Sequence, residues 1–175
     1  MHLRIQADQL MIYAKDESAF VRLAKQFEDE SKTGMNKAEP VYAARHISDI
    51  LDGYLYLSQI NFYTHGHIGY VHLPGGGIVT RTAPFLLDAP HPQLFRGEGR
   101  ILFMGCNVGE GPEGRDFMIA AGKALLDGHG GFVGATTSKN VFGRWGLFDI
   151  RKPLWGDLRV IQFDARGKVV AEKLF

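Results

Sequence analysis

The sequence contains a single cysteine, Cys106, among its 175 residues. One cysteine cannot form an intramolecular disulfide, and it cannot build a structural zinc site from several thiolates. Its thiol is therefore either a small buried side chain or a chemically reactive group. Which of the two it is depends on what the rest of the chain brings to Cys106.

Long apolar runs and an excess of charge are also missing. No apolar run approaches the roughly 18 residues of a membrane-spanning helix, and residues 1–8 do not resemble a signal peptide. Lysine and arginine total 20 against 19 aspartates and glutamates, and no basic cluster stands out. We therefore expect a cytoplasmic protein that binds neither nucleic acid nor a membrane.

Length and composition predict one folded domain spanning residues 1–175. Hydrophobic residues make up 45% of the chain and charged residues 22%, which is typical of globular proteins. Segments with strand and helix patterns alternate along most of the chain, which predicts an α/β fold with a mostly parallel central sheet.

The predicted elements follow from hydrophobic periodicity and from glycine and proline positions. Strands are expected at 9–14, 40–44, 59–64, 101–104 and 131–135. Helices are expected around 20–27, 47–54 and 117–125, the first of them capped by Asp16 or Ser18. Two apolar runs flanking a turn at 164–167 predict a C-terminal β-hairpin.

Two of these strands end in residues that can carry chemistry. The strand at 59–64 is followed by His65, and the strand at 101–104 leads to Cys106. Ligands bind at the carboxyl ends of parallel strands, so neighbouring strands would give a cysteine nucleophile a histidine partner. Asn107, Gly109 and Gly111 allow a tight turn, and backbone N–H groups of such a turn would stabilise an oxyanion if they point inward. A lone cysteine that ends an apolar strand is also common as core filler.

More specific motifs surround the two residues. Thr64-His65-Gly66 and Met104-Gly105-Cys106, each after an apolar strand, resemble the His-Gly and Gly-Cys signatures of caspase-like, clan CD cysteine peptidases. With Asn107 after the cysteine, the pattern is similar to bacterial members of that family, and the resemblance covers roughly residues 60–145. It implies a three-layer fold with a mostly parallel central sheet, helices on both faces and a C-terminal β-hairpin.

The resemblance also implies a function and a role for each matching residue. Cys106 would be the nucleophile of a cysteine endopeptidase, and His65 the general acid and base that protonates the leaving amine. The backbone N–H groups of Gly66 and Cys106 would form the oxyanion hole, without a metal or other cofactor, and the substrate would be a protein or peptide. The substrate-binding residues would follow the next strand: Thr136, Thr137, Ser138 and Trp145.

Two other interpretations remain open from the sequence. Thr64-His65-Gly66-His67 also matches the beginning of the metallo-β-lactamase metal signature, although Gly69 and Tyr70 stand where an aspartate and a histidine are required. His65, His67 and His72 would meet at a metal only if a hairpin predicted at 68–79 folds back on itself. The second interpretation is a caspase-like binding module without catalysis, since fold alone does not determine function.

Overall fold

The computed structural model describes residues 4–31, 33–138 and 158–175. Its strands are β1 (Ile5–Gln6), β2 (Gln9–Ala14), β3 (Asn36–Val41), β4 (Tyr54–Leu55), β5 (Leu57–Tyr63), β6 (Gly66–His67), β7 (Tyr70–Val71), β8 (Ile78–Val79), β9 (Phe95–Phe103), β10 (Gly131–Thr136), β11 (Leu158–Phe163) and β12 (Val169–Leu174). Its helices are α1 (Ser18–Asp29), α2 (His46–Asp52) and α3 (Gly111–Leu125), with a 3-10 turn at Ala83–Phe85.

A seven-stranded sheet forms the centre of the fold, in the order β12-β11-β10-β9-β5-β2-β3. The five strands from β3 to β10 pair in parallel, whereas β11 and β12 add an antiparallel hairpin at one edge. The predicted α/β class, the mostly parallel sheet and the C-terminal hairpin are therefore confirmed. A small sheet of β6, β7 and β8 and a two-stranded pair of β1 and β4 complete the β structure.

The strands β5 and β9 are direct neighbours in the middle of this sheet. Ile60 pairs with Ile101 and Phe62 pairs with Phe103, so the two strands run in parallel to nearly the same level. Both strands are apolar and buried over their last residues, as expected for strands that are covered on both faces. His65 and Cys106 consequently leave the sheet at the same edge, from adjacent strands.

Two buried apolar clusters lie on opposite faces of the sheet. Met11 packs in a cluster with Phe20 of α1. Its neighbours in the strand, Leu10 and Ile12, pack in a larger cluster that includes Phe117 of α3. Because successive side chains of a strand point to opposite faces, the sheet separates these clusters.

The helices follow the predicted periodicity, and one predicted cap is wrong. The N-cap of α1 is Glu17 rather than Asp16 or Ser18, and no side chain makes the capping hydrogen bond. The longest helix described, α3, has 15 residues and begins at Gly111, before the predicted range of 117–125, with Pro112 in its first turn, where proline is favoured. Over the described ranges, no helix combines the length and apolar character needed to cross a bilayer.

The second strand of the sequence was predicted at the wrong place. It was expected at 40–44, but β3 spans Asn36–Val41 and only its last residue is buried. A hydrophobic pattern cannot locate such a strand. Pro40 lies within it, in keeping with the confinement of proline to edge strands, because β3 is at the edge of the sheet.

Candidate active site

The site is organised around a close contact between two glycines. A Cβ atom added to Gly105 would lie 3.1 Å from both the amide nitrogen and the Cα atom of Gly66. A Cβ atom added to Gly66 would lie 3.2 Å from the Cα atom of Gly105. The two backbones therefore pass in van der Waals contact, which residues with side chains would prevent. Since His65 precedes one glycine and Cys106 follows the other, the predicted His-Gly and Gly-Cys pairs lie side by side.

A small hairpin, formed by β6 and β7, holds Gly66 in this contact. The amide of His72 in the hairpin donates to the carbonyl oxygen of His65 at 2.8 Å, and the amide of Gly69 donates to the carbonyl oxygen of Val108 at 3.1 Å. Hydrogen-bonded and non-hydrogen-bonded pairs alternate along an antiparallel ladder, so Gly66, opposite Val71, belongs to a non-hydrogen-bonded pair. Its N–H group consequently lies outside the hairpin ladder.

The turn after Cys106 is fastened to the end of β10. The amide of Asn107 donates to the carbonyl oxygen of Ser138 at 3.0 Å, and the amide of Gly109 donates to that of Thr136 at 2.8 Å. The Thr136 hydroxyl donates in turn to the carbonyl oxygen of Gly105 at 2.5 Å. The amides of Asn107 and Gly109 are therefore used to attach the turn to β10 and do not face an open site.

Cys106 itself is half-buried rather than enclosed in the core. The residue after it, Asn107, has a φ of 58°, in the left-handed region that asparagine tolerates better than most residues. The extended chain of β9 ends at Phe103, and Cys106 and Asn107 both lie in the turn that follows. The cysteine is thus held in a sharp turn at the sheet edge, between the His65-Gly66 segment and the end of β10.

His65 has two neighbours from the start of α1. Its Nε2 atom lies 3.2 Å from Oε1 of Glu17, and its ring centroid lies 5.3 Å from that of Phe20, with the rings tilted by 59°. The side chains of His65 and Glu17 are 52% and 45% exposed, whereas Phe20 is buried. Sequence reasoning missed Glu17. It follows β2, the parallel neighbour of β5, but the sequence alone does not reveal that β2 and β5 are adjacent.

No family model, curated protein or solved structure matches the chain. The interpretation of this site therefore depends on its own geometry.

The predicted substrate-binding residues lie at the end of β10 as far as the structure describes them. Thr136 is the last residue of that strand and is buried. Its hydroxyl donates a hydrogen bond to the carbonyl oxygen of Gly105. Thr137 and Ser138 are half-buried and continue along the same edge. Trp145 lies outside the described residues. Thr136 consequently supports the cysteine turn, and Thr137 and Ser138 are more exposed than Thr136.

The histidines of the hairpin do not gather at one point. The ring of His67 stacks on Tyr70, with centroids 4.5 Å apart and planes 6° apart, whereas His65 faces Glu17. Within residues 4–31, 33–138 and 158–175, no group of three or more histidine, cysteine, aspartate or glutamate side chains could hold a metal ion. The geometry described for His65, His67 and His72 therefore gives the metal interpretation no support.

A buried histidine lies away from this site, near the C-terminal end of α3. His91 is 5% exposed, and neither ring nitrogen has a hydrogen-bond partner among the described residues. Burial, followed by the nearby charge of Arg4, lowers the pKa of His91 below its ordinary value of 6.5. His91 also lines a cleft of about 190 Å³ together with Lys123 and Asp127.

Proposed function

We propose that the chain is a cysteine endopeptidase of caspase-like, three-layer fold, with Cys106 as nucleophile and His65 as general acid and base. The contact between Gly66 and Gly105 carries this proposal. It supports the pairing of a thiol and an imidazole at the carboxyl ends of neighbouring parallel strands, where open α/β sheets bind their ligands. The core clusters on both faces of the sheet are consistent with the layered arrangement.

The catalytic groups of the proposed reaction all belong to the chain, and water is the second reactant. The Sγ atom of Cys106 attacks the carbonyl carbon of the scissile peptide bond while the thiol proton passes to His65. His65 then gives a proton to the leaving amine, and an acyl-enzyme remains on Cys106. Water, deprotonated by His65, attacks the acyl group and releases the second product as Cys106 recovers its proton.

The developing oxyanion needs donors that are fixed before the reaction begins. We assign this role to the backbone N–H groups of Gly66 and Cys106. The Gly66 N–H lies outside the hairpin ladder, and the absence of a side chain at Gly66 and Gly105 lets the two segments approach each other. Docking of the hairpin onto Val108 fixes the position of the Gly66 donor relative to the cysteine turn.

Cleavage of a peptide library tests the proposal. The wild type is expected to cleave, whereas Cys106→Ala and His65→Ala are expected to lose activity by a factor of about 10² or more, the usual contribution of such groups. His67→Ala is the matched control, because it removes an exposed neighbouring histidine that stacks on Tyr70. Unchanged activity in Cys106→Ala or His65→Ala would overturn the mechanism.

Alkylation with iodoacetamide separates the peptidase from its two alternatives. A reactive thiolate in the native protein predicts labelling of Cys106 without denaturation, and slower labelling in His65→Ala. Labelling only after denaturation would support the core-filler interpretation. Rapid native labelling without cleavage of any peptide would instead favour a binding module that has the site but no catalysis.

A further inference from the structure

The N-cap residue and the first turn of α1 each supply one contact to the imidazole of His65. Oε1 of Glu17 lies 3.2 Å from Nε2, at the edge of the ring, and the buried Phe20 ring lies 5.3 Å from the ring centroid. The carbonyl oxygen of Glu17 accepts hydrogen bonds from the amides of Phe20 and Val21 at 3.0 and 3.2 Å. The backbone of Glu17 is thus fixed by the helix that also carries Phe20.

Neither helix capping nor stability accounts for the orientation of the Glu17 side chain. Glutamate is not among the preferred N-cap residues, and the Glu17 carboxylate makes no capping hydrogen bond to α1. An ion pair with both side chains about half exposed contributes little to folding, because water screens it. The carboxylate is turned towards His65 instead, at the edge where Cys106 leaves the sheet.

We propose that Glu17 is a positioning residue that holds the proton of His65 on Nε2, so that Nδ1 is the nitrogen that exchanges a proton with Cys106. The inference rests on the proposed function and adds a third residue to its pair. A carboxylate only accepts hydrogen bonds, so a neutral imidazole beside it keeps its proton on the nitrogen that faces the carboxylate.

The proton balance of the reaction is simple with this assignment. Nδ1 takes the thiol proton as Sγ attacks the peptide carbonyl, and the ring then carries a proton on each nitrogen. The Glu17 carboxylate stabilises this imidazolium without accepting its proton. Nδ1 returns its proton to the leaving amine, and the Nε2 proton stays between His65 and Glu17 throughout.

Kinetics of four proteins test this role: the wild type, Glu17→Ala, Glu17→Asp and Asp16→Ala. Asp16→Ala is the matched control, because it removes the adjacent, exposed carboxylate. We expect Glu17→Ala to lower kcat about tenfold or more, part of the 10²–10⁴ that general acid–base catalysis supplies, with KM nearly unchanged. Glu17→Asp should recover part of the loss. Melting temperatures should stay close to that of the wild type.

A tautomer measurement provides a readout that does not depend on proteolysis. Long-range ¹H–¹⁵N NMR of His65 in a Cys106→Ala background should report a protonated Nε2, and Glu17→Ala should shift the ring towards a mixture of tautomers. If the wild type cleaves peptides while Glu17→Ala retains both its kcat and its tautomer, the role of Glu17 is wrong and the proposed function stands. If the wild type cleaves no peptide, the proposed function fails, and the tautomer comparison alone decides whether Glu17 positions His65.

Discussion

The amide nitrogen of Gly66 lies 3.1 Å from the point that a Cβ atom on Gly105 would occupy. This single approach joins the segment that carries His65 to the turn that carries Cys106. Close-packed backbone leaves little room for adjustment, so even one added methyl group should destabilise the fold.

Gly66→Ala should destabilise the protein and separate the two segments. The new Cβ atom would meet the Val108 side chain at 2.5 Å and the Tyr70 carbonyl oxygen at 2.9 Å. Overpacking of this kind costs about 1–3 kcal/mol. Urea unfolding should report that loss, and native alkylation of Cys106 should report the disturbed site.

Gly97→Ala is the matched control for this substitution. Gly97 is exposed, lies in β9, and has open space where its Cβ atom would go. The same chemical change should therefore be neutral or stabilise the fold by about 0.4–1 kcal/mol, through the lower entropy of the unfolded chain. Equal losses in Gly66→Ala and Gly97→Ala would contradict the importance of the glycine contact.

Thr136→Val should loosen the cysteine turn without changing the shape of the side chain much. The substitution removes the hydroxyl that donates to the carbonyl oxygen of Gly105, in a buried setting. Leaving that acceptor unpaired should cost about 1–3 kcal/mol in the free energy of unfolding. Thr136→Ser keeps the hydroxyl and should lose less stability and less activity. A serine variant that is as impaired as the valine variant would show that the methyl group, not the hydrogen bond, is important.

His91 should make the protein less stable in mild acid. Burial, followed by the charge of Arg4, lowers the pKa of His91, so the folded state binds this proton less readily than the unfolded chain. The contribution of neutral His91 to the free energy of unfolding is therefore complete when the pH lies above 6.5, the ordinary pKa of histidine. It is lost progressively as the pH falls from there through the lowered pKa of the folded state.

The measurement compares the free energy of unfolding at about pH 7.5 and about pH 5.5, which lie on either side of the ordinary histidine pKa. His91→Leu removes the titrating group and should weaken the pH dependence. His67→Gln, at an exposed position, controls for the loss of any histidine. An unchanged slope in His91→Leu would mean that other groups cause the acid sensitivity.

EDTA should leave peptide cleavage unchanged. A thiol and an imidazole can perform acyl transfer without a metal, and Nε2 of His65 faces the Glu17 carboxylate. The measurement is the cleavage rate before and after dialysis against the chelator. Loss of activity that zinc restores would contradict the cysteine mechanism and favour the histidine metal site.

Much of the fold could be predicted from the sequence because periodicity reports burial directly. The apolar runs at β2, β5, β9 and β10 and the stripe through Phe20 and Phe27 are patterns that only buried elements carry. By contrast, β3 was predicted at the wrong place, because an edge strand of mostly half-buried residues has no such pattern. The order of the strands was also beyond the sequence, since pairing between distant segments has no local signal.

The residues of the candidate site also fall into those that have a local sequence signal and those that have none. His65 and Cys106 could be found because each follows an apolar strand within a recognisable motif. Glu17 could not, because its contact with His65 depends on β2 lying next to β5. The hydrogen bond from the Thr136 hydroxyl to the carbonyl oxygen of Gly105 could not be predicted either, because it depends on the register between β9 and β10.

The strand order has a consequence for how the protein folds. Glu17, His65 and Cys106 follow β2, β5 and β9, and Thr136 ends β10. These four strands are adjacent in the sheet but far apart in the chain. Non-local parallel pairing of this kind forms slowly, because each pair requires closure of a long loop. An intermediate that lacks any one of these strands has an incomplete site. On the proposed function, cleavage activity should therefore return on refolding only with the last kinetic phase, and a nascent chain should have no activity before it is folded.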